Sequence, residues 1–158
     1  MVLVECYNDE TVLRALGWSR KDIRRMRGKG NVINHLKKGG QLDVVGLVDR
    51  DARSPNPTPL EPFIRAEAAH DAVLYTWKGQ RLVVVEDSIE VWVVRALEAS
   101  GLQLIDYTPA RTAADLHRLE ARVCEPGLTK AIEALVAKSS AHVATLKRFL
   151  SPGNSNGT

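Results

Sequence analysis

The sequence predicts an α/β protein, a mostly parallel β-sheet flanked by helices and followed by a helical C-terminal extension. Three observations predict it. Short β-branched and apolar runs alternate with segments of helical periodicity over roughly the first hundred residues. One run, Val44-Val45-Gly46-Leu47-Val48, is apolar without interruption, as strands buried on both faces of a parallel sheet are. From Thr112 onward the pattern is helical. With 158 residues, 44% hydrophobic and 26% charged, the chain is long enough to bury one core without staples.

The elements follow in order. Val2 to Tyr7 reads as a short strand, and Asp9 to Leu16 as a helix ended by Gly17. Ile23 to Met26 is a brief second strand. Gly30 and Asn31 then precede a helical pattern of Val32, Ile33 and Leu36, closed by Gly39-Gly40. The third strand, Val44 to Val48, stops abruptly at Asp49-Arg50-Asp51. Residues 54–62 hold four prolines, which excludes a central strand and predicts an extended loop or a helix entrance, placed as a lid. Ala72 to Trp77 and Leu82 to Val85 look like two strands joined through Lys78-Gly79-Gln80, although the first would equally finish a helix. Ser88 is a good N-cap for a helix from Ile89 to Ser100, with Glu90, Arg95 and Glu98 on its wet side and Val91, Val94 and Leu97 inward. Three helices complete the chain, Thr112 to Val123, Leu128 to Ala137 and Ala141 to Leu150. The expected organisation is an α/β domain over 1–105, a helical extension packed on it over 106–150, and a disordered tail over 151–158.

The net charge of +3 is mild, and its distribution says more. Arg20, Lys21, Arg24, Arg25, Arg27, Lys29, Lys37 and Lys38 lie close together, opposed by Asp22 alone. Such a block tracks a nucleic-acid backbone, or else is only a solvated face. No signal peptide opens the chain, and no apolar run approaches the roughly 18 residues a membrane span requires. The expected location is therefore the cytoplasm, with Cys6 and Cys124 reduced and packed rather than bridged. His35, His70, His117 and His142 share no ligand spacing and read as surface or core residues, His35 within reach of phosphate. Trp18, Trp77 and Trp92 read as core, Trp92 alternatively as an anchor for a partner, and Tyr7 reads as a packed strand residue.

In open α/β sheets ligands gather beyond the carboxyl ends of the strands. That rule selects Glu5 to Asp9 after the first strand, and Asp49 with Asp51 after the third. Were those strands neighbours, their ends would lie about 5 Å apart, and carboxylates so crowded need a cation. An all-oxygen set without a His or Cys cluster suits magnesium or manganese rather than zinc. Glu86-Asp87-Ser88-x-Glu90 forms a further acidic turn after a strand, either a second ion site or a helix N-cap with acids favourably placed at the dipole.

These residues resemble the two Toprim motifs. Val2-Leu3-Val4-Glu5-Cys6-Tyr7-Asn8-Asp9 resembles the first, an apolar strand, Glu-Gly-x-x-Asp and a helix; Val45-Gly46-Leu47-Val48-Asp49-Arg50-Asp51 resembles the second, an apolar strand ending in Asp-x-Asp. The resemblance covers the chain to about Asp51 and implies a Toprim, Rossmann-like sheet. It implies that Glu5 is a metal ligand or general acid-base, that Asp49 and Asp51 are metal ligands, and that Asp9 is a ligand or supports one; Glu86 and Glu90 are further candidates. Cys6 stands where the pattern has Gly, so a side chain occupies the turn. A receiver domain would need paired acids after the first strand, and a haloacid-dehalogenase phosphatase its Asp-x-Asp there; neither is present. The function implied is magnesium-dependent (or manganese-dependent) phosphodiester hydrolysis of nucleic acid, DNA or RNA, with Arg20, Lys21, Arg24, Arg25 and Lys29 on the backbone and a homodimer as a further association. The other reading is a Toprim-like module that binds nucleic acid or protein without catalysis.

Overall fold

The computed structural model describes residues 1–39, 43–50, 58–119 and 126–151. Asp51, Cys124, the proline-rich segment as far as Pro57, the end of the helix predicted to Val123, and the tail beyond Ser151 lie outside the described residues. So does the lid reading.

The elements are β1 (Val2–Val4), α1 (Tyr7–Ala15), β2 (Ile23–Arg25), α2 (Lys29–Lys38), β3 (Val45–Asp49), β4 (Ile64–Ala69), β5 (Ala72–Trp77), β6 (Gln80–Val85), α3 (Ile89–Ala99), α4 (Ala113–Arg118), α5 (Pro126–Ala137) and α6 (Ala141–Leu150). They build a six-stranded sheet in the order β2-β1-β3-β6-β5-β4. The four strands from β2 to β6 run parallel, and β5 and β4 add an antiparallel margin. The fold is thus α/β with a mostly parallel sheet, and its first and third strands are neighbours. The β5–β6 turn is Lys78-Gly79, both at positive φ (47° and 77°), the backbone that suits a two-residue hairpin.

Strand periodicity sorts the core. Leu3, Val48, Leu82 and Val84 face α2 and pack with Val32, Ile33 and Leu36. Val2, Val4, Val45, Leu47, Val83 and Val85 face the opposite way, toward α1, α3, α5 and α6. Leu128, Ile132, Leu146 and Phe149 belong to that second cluster, so the C-terminal helices share one core with β1 and β3. The Arg81 guanidinium donates to the carbonyls of Phe149 and Ser151, tying the end of α6 to β6.

Gly46 lies where α2 presses closest on the sheet. A Cβ there would stand 2.7 Å from Val32 Cγ1 and 2.9 Å from both Leu36 Cδ1 and Leu82 Cδ1. Gly46→Ala is therefore expected to destabilise the fold by about 1–3 kcal/mol through overpacking. A urea unfolding midpoint checks this, and an unchanged midpoint would contradict the close packing.

Four expectations are corrected. β4 was absent from the predicted elements because it is an edge strand with little burial: Ile64 is 72% exposed, and Arg65 and Glu67 put charge on an edge that would otherwise pair with other chains. Tyr7 is not a strand residue but the first residue of α1; it is 39% exposed, with the Arg25 guanidinium 3.7 Å from its ring centroid. The inward face of α3 is Ile89, Glu90, Trp92, Val93, Ala96 and Leu97, so Glu90 is buried while Val91 and Val94 are only half-buried. A single apolar stripe misplaces that face because α3 is covered by α1, α4, α5 and α6 together. Trp92 is fully buried and donates through Nε1 to the His70 carbonyl (3.2 Å), which leaves no surface anchor for a partner.

Candidate functional site

Parallel pairing sets the ends of β1, β3 and β6 side by side. Val4 aligns with Leu47, and Asp49 with Val85, so Glu5, Asp49 and Glu86 leave the sheet at one edge. Three carboxylates there are joined through backbone amides. Glu5 Oε1 accepts from the Asp49 N–H (2.8 Å), bridging the end of β1 to the end of β3. Asp49 Oδ1 accepts from the Ile89 N–H (3.0 Å), the first residue of α3, where the helix dipole favours an acid. Asp9, in the first turn of α1, reaches back so that Oδ2 accepts from the amides of Glu5 (3.0 Å) and Cys6 (2.9 Å). Its other oxygen, Oδ1, is buried without a hydrogen-bond partner among the described residues. Cys6 occupies the N-cap with φ −134° and ψ −176°, an extended backbone open to any residue. The departure from Gly thus carries no backbone strain.

Crowding of this kind disfavours ionisation. Burial pushes the Asp49 carboxyl up to about 9, reinforced by the charges of Asp9, Glu5 and Glu90 and opposed by the Ile89 amide. Burial likewise raises Asp9 to about 7, against the Cys6 amide and with help from the Glu5 charge. Glu90 behaves differently. Burial would raise it too, but hydrogen bonds, that from Asn8 foremost, outweigh burial and hold it below the ordinary range. Its Oε1 meets Asn8 Nδ2 at 2.7 Å and His117 Nδ1 at 3.1 Å.

The predicted residues therefore separate. Glu5, Asp9 and Asp49 come together, with Glu90 close enough to add its charge to both aspartates. Glu86 is ion-paired with Arg50 (2.6 Å), and Asp87 with Arg95 (2.7 Å), so the acidic turn after β6 is tied up by arginines, and Ser88 caps α3 by accepting from Val91. Asp51 lies outside the described residues. The basic block is also divided. Arg20, Lys21 and Arg24 are exposed, Arg25 is paired with Glu10 (3.1 Å), and Lys29 is buried at 7% exposure.

Sequence reasoning missed Asn8 and His117 as partners of Glu90. Asn8 carried a signal, since it stands beside Asp9 inside the first motif. His117 carried none, because 27 residues separate it from Glu90 and only the packing of α4 on α3 joins them.

Comparison with protein-family models, with curated proteins and with solved structures finds no match for this chain.

The Toprim resemblance implies a divalent cation, and the donor set bears on whether one fits. The clustered groups are all oxygen donors, Asp9 has an orphaned buried oxygen, and Asp9 and Asp49 resist ionisation without a counter-charge. Those features suit a hard cation. Among the described residues, however, no group of three or more His, Cys, Asp and Glu side chains stands ready to hold a metal. Glu5 and Asp49 would supply part of a ligand set; Asp51, the further ligand that the resemblance implies, lies outside the described residues.

Proposed function

We propose that the chain is a Toprim-type, magnesium- or manganese-dependent phosphodiesterase acting on nucleic acid. The observation that carries this reading is the gathering of Glu5, Asp9 and Asp49 at the carboxyl edge of parallel strands, with the two aspartates raised to about 7 and about 9 by burial and, secondarily, by the charges of neighbouring carboxylates. Perturbed acids at the carboxyl ends of parallel strands mark a candidate functional site. Glu5, Asp49 and Asp51 would hold the cation, whose contribution when bound would be Lewis-acid stabilisation of the phosphate's developing charge. The chain's own groups do the remainder. The Asp49 amide holds Glu5 through Oε1, which orients the half-buried carboxylate to take a proton from the attacking water. The Ile89 amide fixes Asp49, and Asp9 holds the turn that carries Glu5 through two amide bonds. Exposed Arg20, Lys21 and Arg24 would bind the flanking backbone by charge.

A second reading has its own support. Each of the three carboxylates already serves a backbone amide, and the described residues assemble no metal-binding group. On that reading the acids brace the sheet edge of a non-catalytic module that binds nucleic acid or protein. Incubation with labelled RNA and DNA in magnesium, manganese or EDTA separates the two. Cleavage that requires the metal is expected; retention of intact strands regardless of metal would establish the module instead.

A further inference from the structure

We propose that the N-terminus of α2, together with the Lys29 side chain, binds a phosphate group. The loop that leads into α2 lies beside the acidic edge, because the Met26 N–H donates to the Val4 carbonyl (2.8 Å) immediately before Glu5. Arg27 and Gly28 both have positive φ (59° and 129°), and Asn31 Nδ2 pins the loop by donating to the Met26 carbonyl (2.9 Å). The Gly28 carbonyl accepts from the amides of Asn31 (3.2 Å) and Val32 (3.3 Å). The amides of Lys29 and Gly30 come ahead of those two in the first turn, where a helix offers no acceptor of its own.

Lys29 supplies the independent observation. It belongs to the stripe of Val32, Ile33 and Leu36 that faces the sheet, is only 7% exposed, and its side chain makes no hydrogen bond or ion pair among the described residues. Side chains tilt toward the N-terminus of their helix, so the Lys29 chain runs toward the end where the two first-turn amides lie. The Lys29 stem is packed away while its ammonium pairs with no carboxylate, so an anion is the partner that would supply its counter-charge. Two amides and an ammonium at a helix N-terminus are donors suited to phosphate oxygens. Space is available, since a Cβ at Gly28 or Gly30 would meet no heavy atom within 4 Å. In the nuclease reading the group held would be a phosphate of the strand next to the bond cleaved. That placement rests on the reading above, whereas the capacity for phosphate does not.

Inorganic phosphate is the first probe, titrated in EDTA into ¹⁵N-labelled protein. The amide resonances of Lys29 and Gly30 are expected to shift saturably. Lys29→Met should weaken phosphate binding about tenfold, the loss of one charge-assisted contact. Gly30→Asp, which puts an acid into open space at a helix N-terminus, should weaken it as well, and neither variant should lower the thermal midpoint. Unaltered phosphate affinity in both variants, or shifts confined to other residues, would overturn the site. The second probe is a single-stranded oligonucleotide followed by anisotropy in EDTA, where Lys29→Met should reduce the salt dependence by about one charge. Phosphate binding without oligonucleotide binding or cleavage leaves the site standing and removes the nuclease reading. Cleavage by the wild type, with Lys29→Met unaltered against both probes, removes the site and leaves that reading.

Discussion

Asp49→Asn is expected to reduce metal-dependent cleavage about 1000-fold, equivalent to about 4 kcal/mol of lost charge stabilisation, without lowering the thermal midpoint at pH 8 in EDTA. The two halves of this result have separate causes. Asparagine retains an oxygen that can accept from the Ile89 N–H, so the tie between β3 and α3 survives. Asp49 in the folded chain keeps its proton up to about pH 9 without a cation, so a neutral amide reproduces the form already present. What the variant cannot do is offer a carboxylate to a cation. Asp49→Ala is a poorer probe, since it leaves the Ile89 amide without its acceptor, a loss of about 0.5–2 kcal/mol for a helix cap. Full activity in Asp49→Asn would end the enzymatic reading; lost activity accompanied by a lower midpoint would assign Asp49 to the fold.

The second large effect is a dependence of stability on pH that a divalent cation reverses. Asp9 and Asp49 rise from 3.8 to about 7 and about 9 in the folded chain. Below about pH 4 both carboxyls are protonated whether folded or unfolded, and they favour neither state. Above it the unfolded chain releases protons that the folded chain keeps, so the folded state binds more protons and stability falls as pH rises. The fall from these groups extends through about pH 7 for Asp9, ends near pH 9 for Asp49, and flattens beyond. A cation competes with those protons, so its stabilising effect should be small at pH 5.5 and large at pH 8.5. Thermal midpoints from pH 5 to 9, in EDTA and in magnesium or manganese, measure both trends. Asp49→Asn should flatten the EDTA profile above about pH 7, leaving the fall due to Asp9 below it, and remove most of the metal effect. A metal effect of equal size at both pH values would show that the ion binds elsewhere.

Much of this architecture was legible from local pattern. The uninterrupted run before Asp49 announced a strand buried on both faces, and β3 is that strand, central in the parallel portion of the sheet. Ser88 and the apolar spacing after it announced α3, and Thr112 caps α4 through the Asp115 amide. Lys78-Gly79-Gln80 suggested the hairpin, although Gln80 already belongs to β6 and the pattern of the first strand would equally have finished a helix. β4 was not legible, because an edge strand with exposed Ile64, Arg65 and Glu67 carries no buried face to imprint alternation. Nor was the burial of Glu90, which depends on α4 bringing His117 over α3 and on Asn8 meeting it from α1. The basic stretch looked uniform as a string, yet folding pairs Arg25 with Glu10, buries Lys29 and leaves Arg20, Lys21 and Arg24 exposed.

By itself, then, the sequence determined the alternation of strands and helices, the cap that starts α3, and the placing of Glu5, Asp9 and Asp49 just past apolar strands. Those properties rest on neighbours within a few residues, where side-chain period, capping and turn chemistry act. Only the tertiary structure decided that the Asp49 amide holds Glu5, that Asp9 and Asp49 resist ionisation, that arginines neutralise Glu86 and Asp87, and that Lys29 packs away on the sheet-facing side of α2. Desolvation and Coulomb interaction depend on the atoms that surround a group in space, and around this site those atoms come from stretches of chain 40 and more residues apart, as Glu5 and Asp49 or Asn8 and Glu90 do.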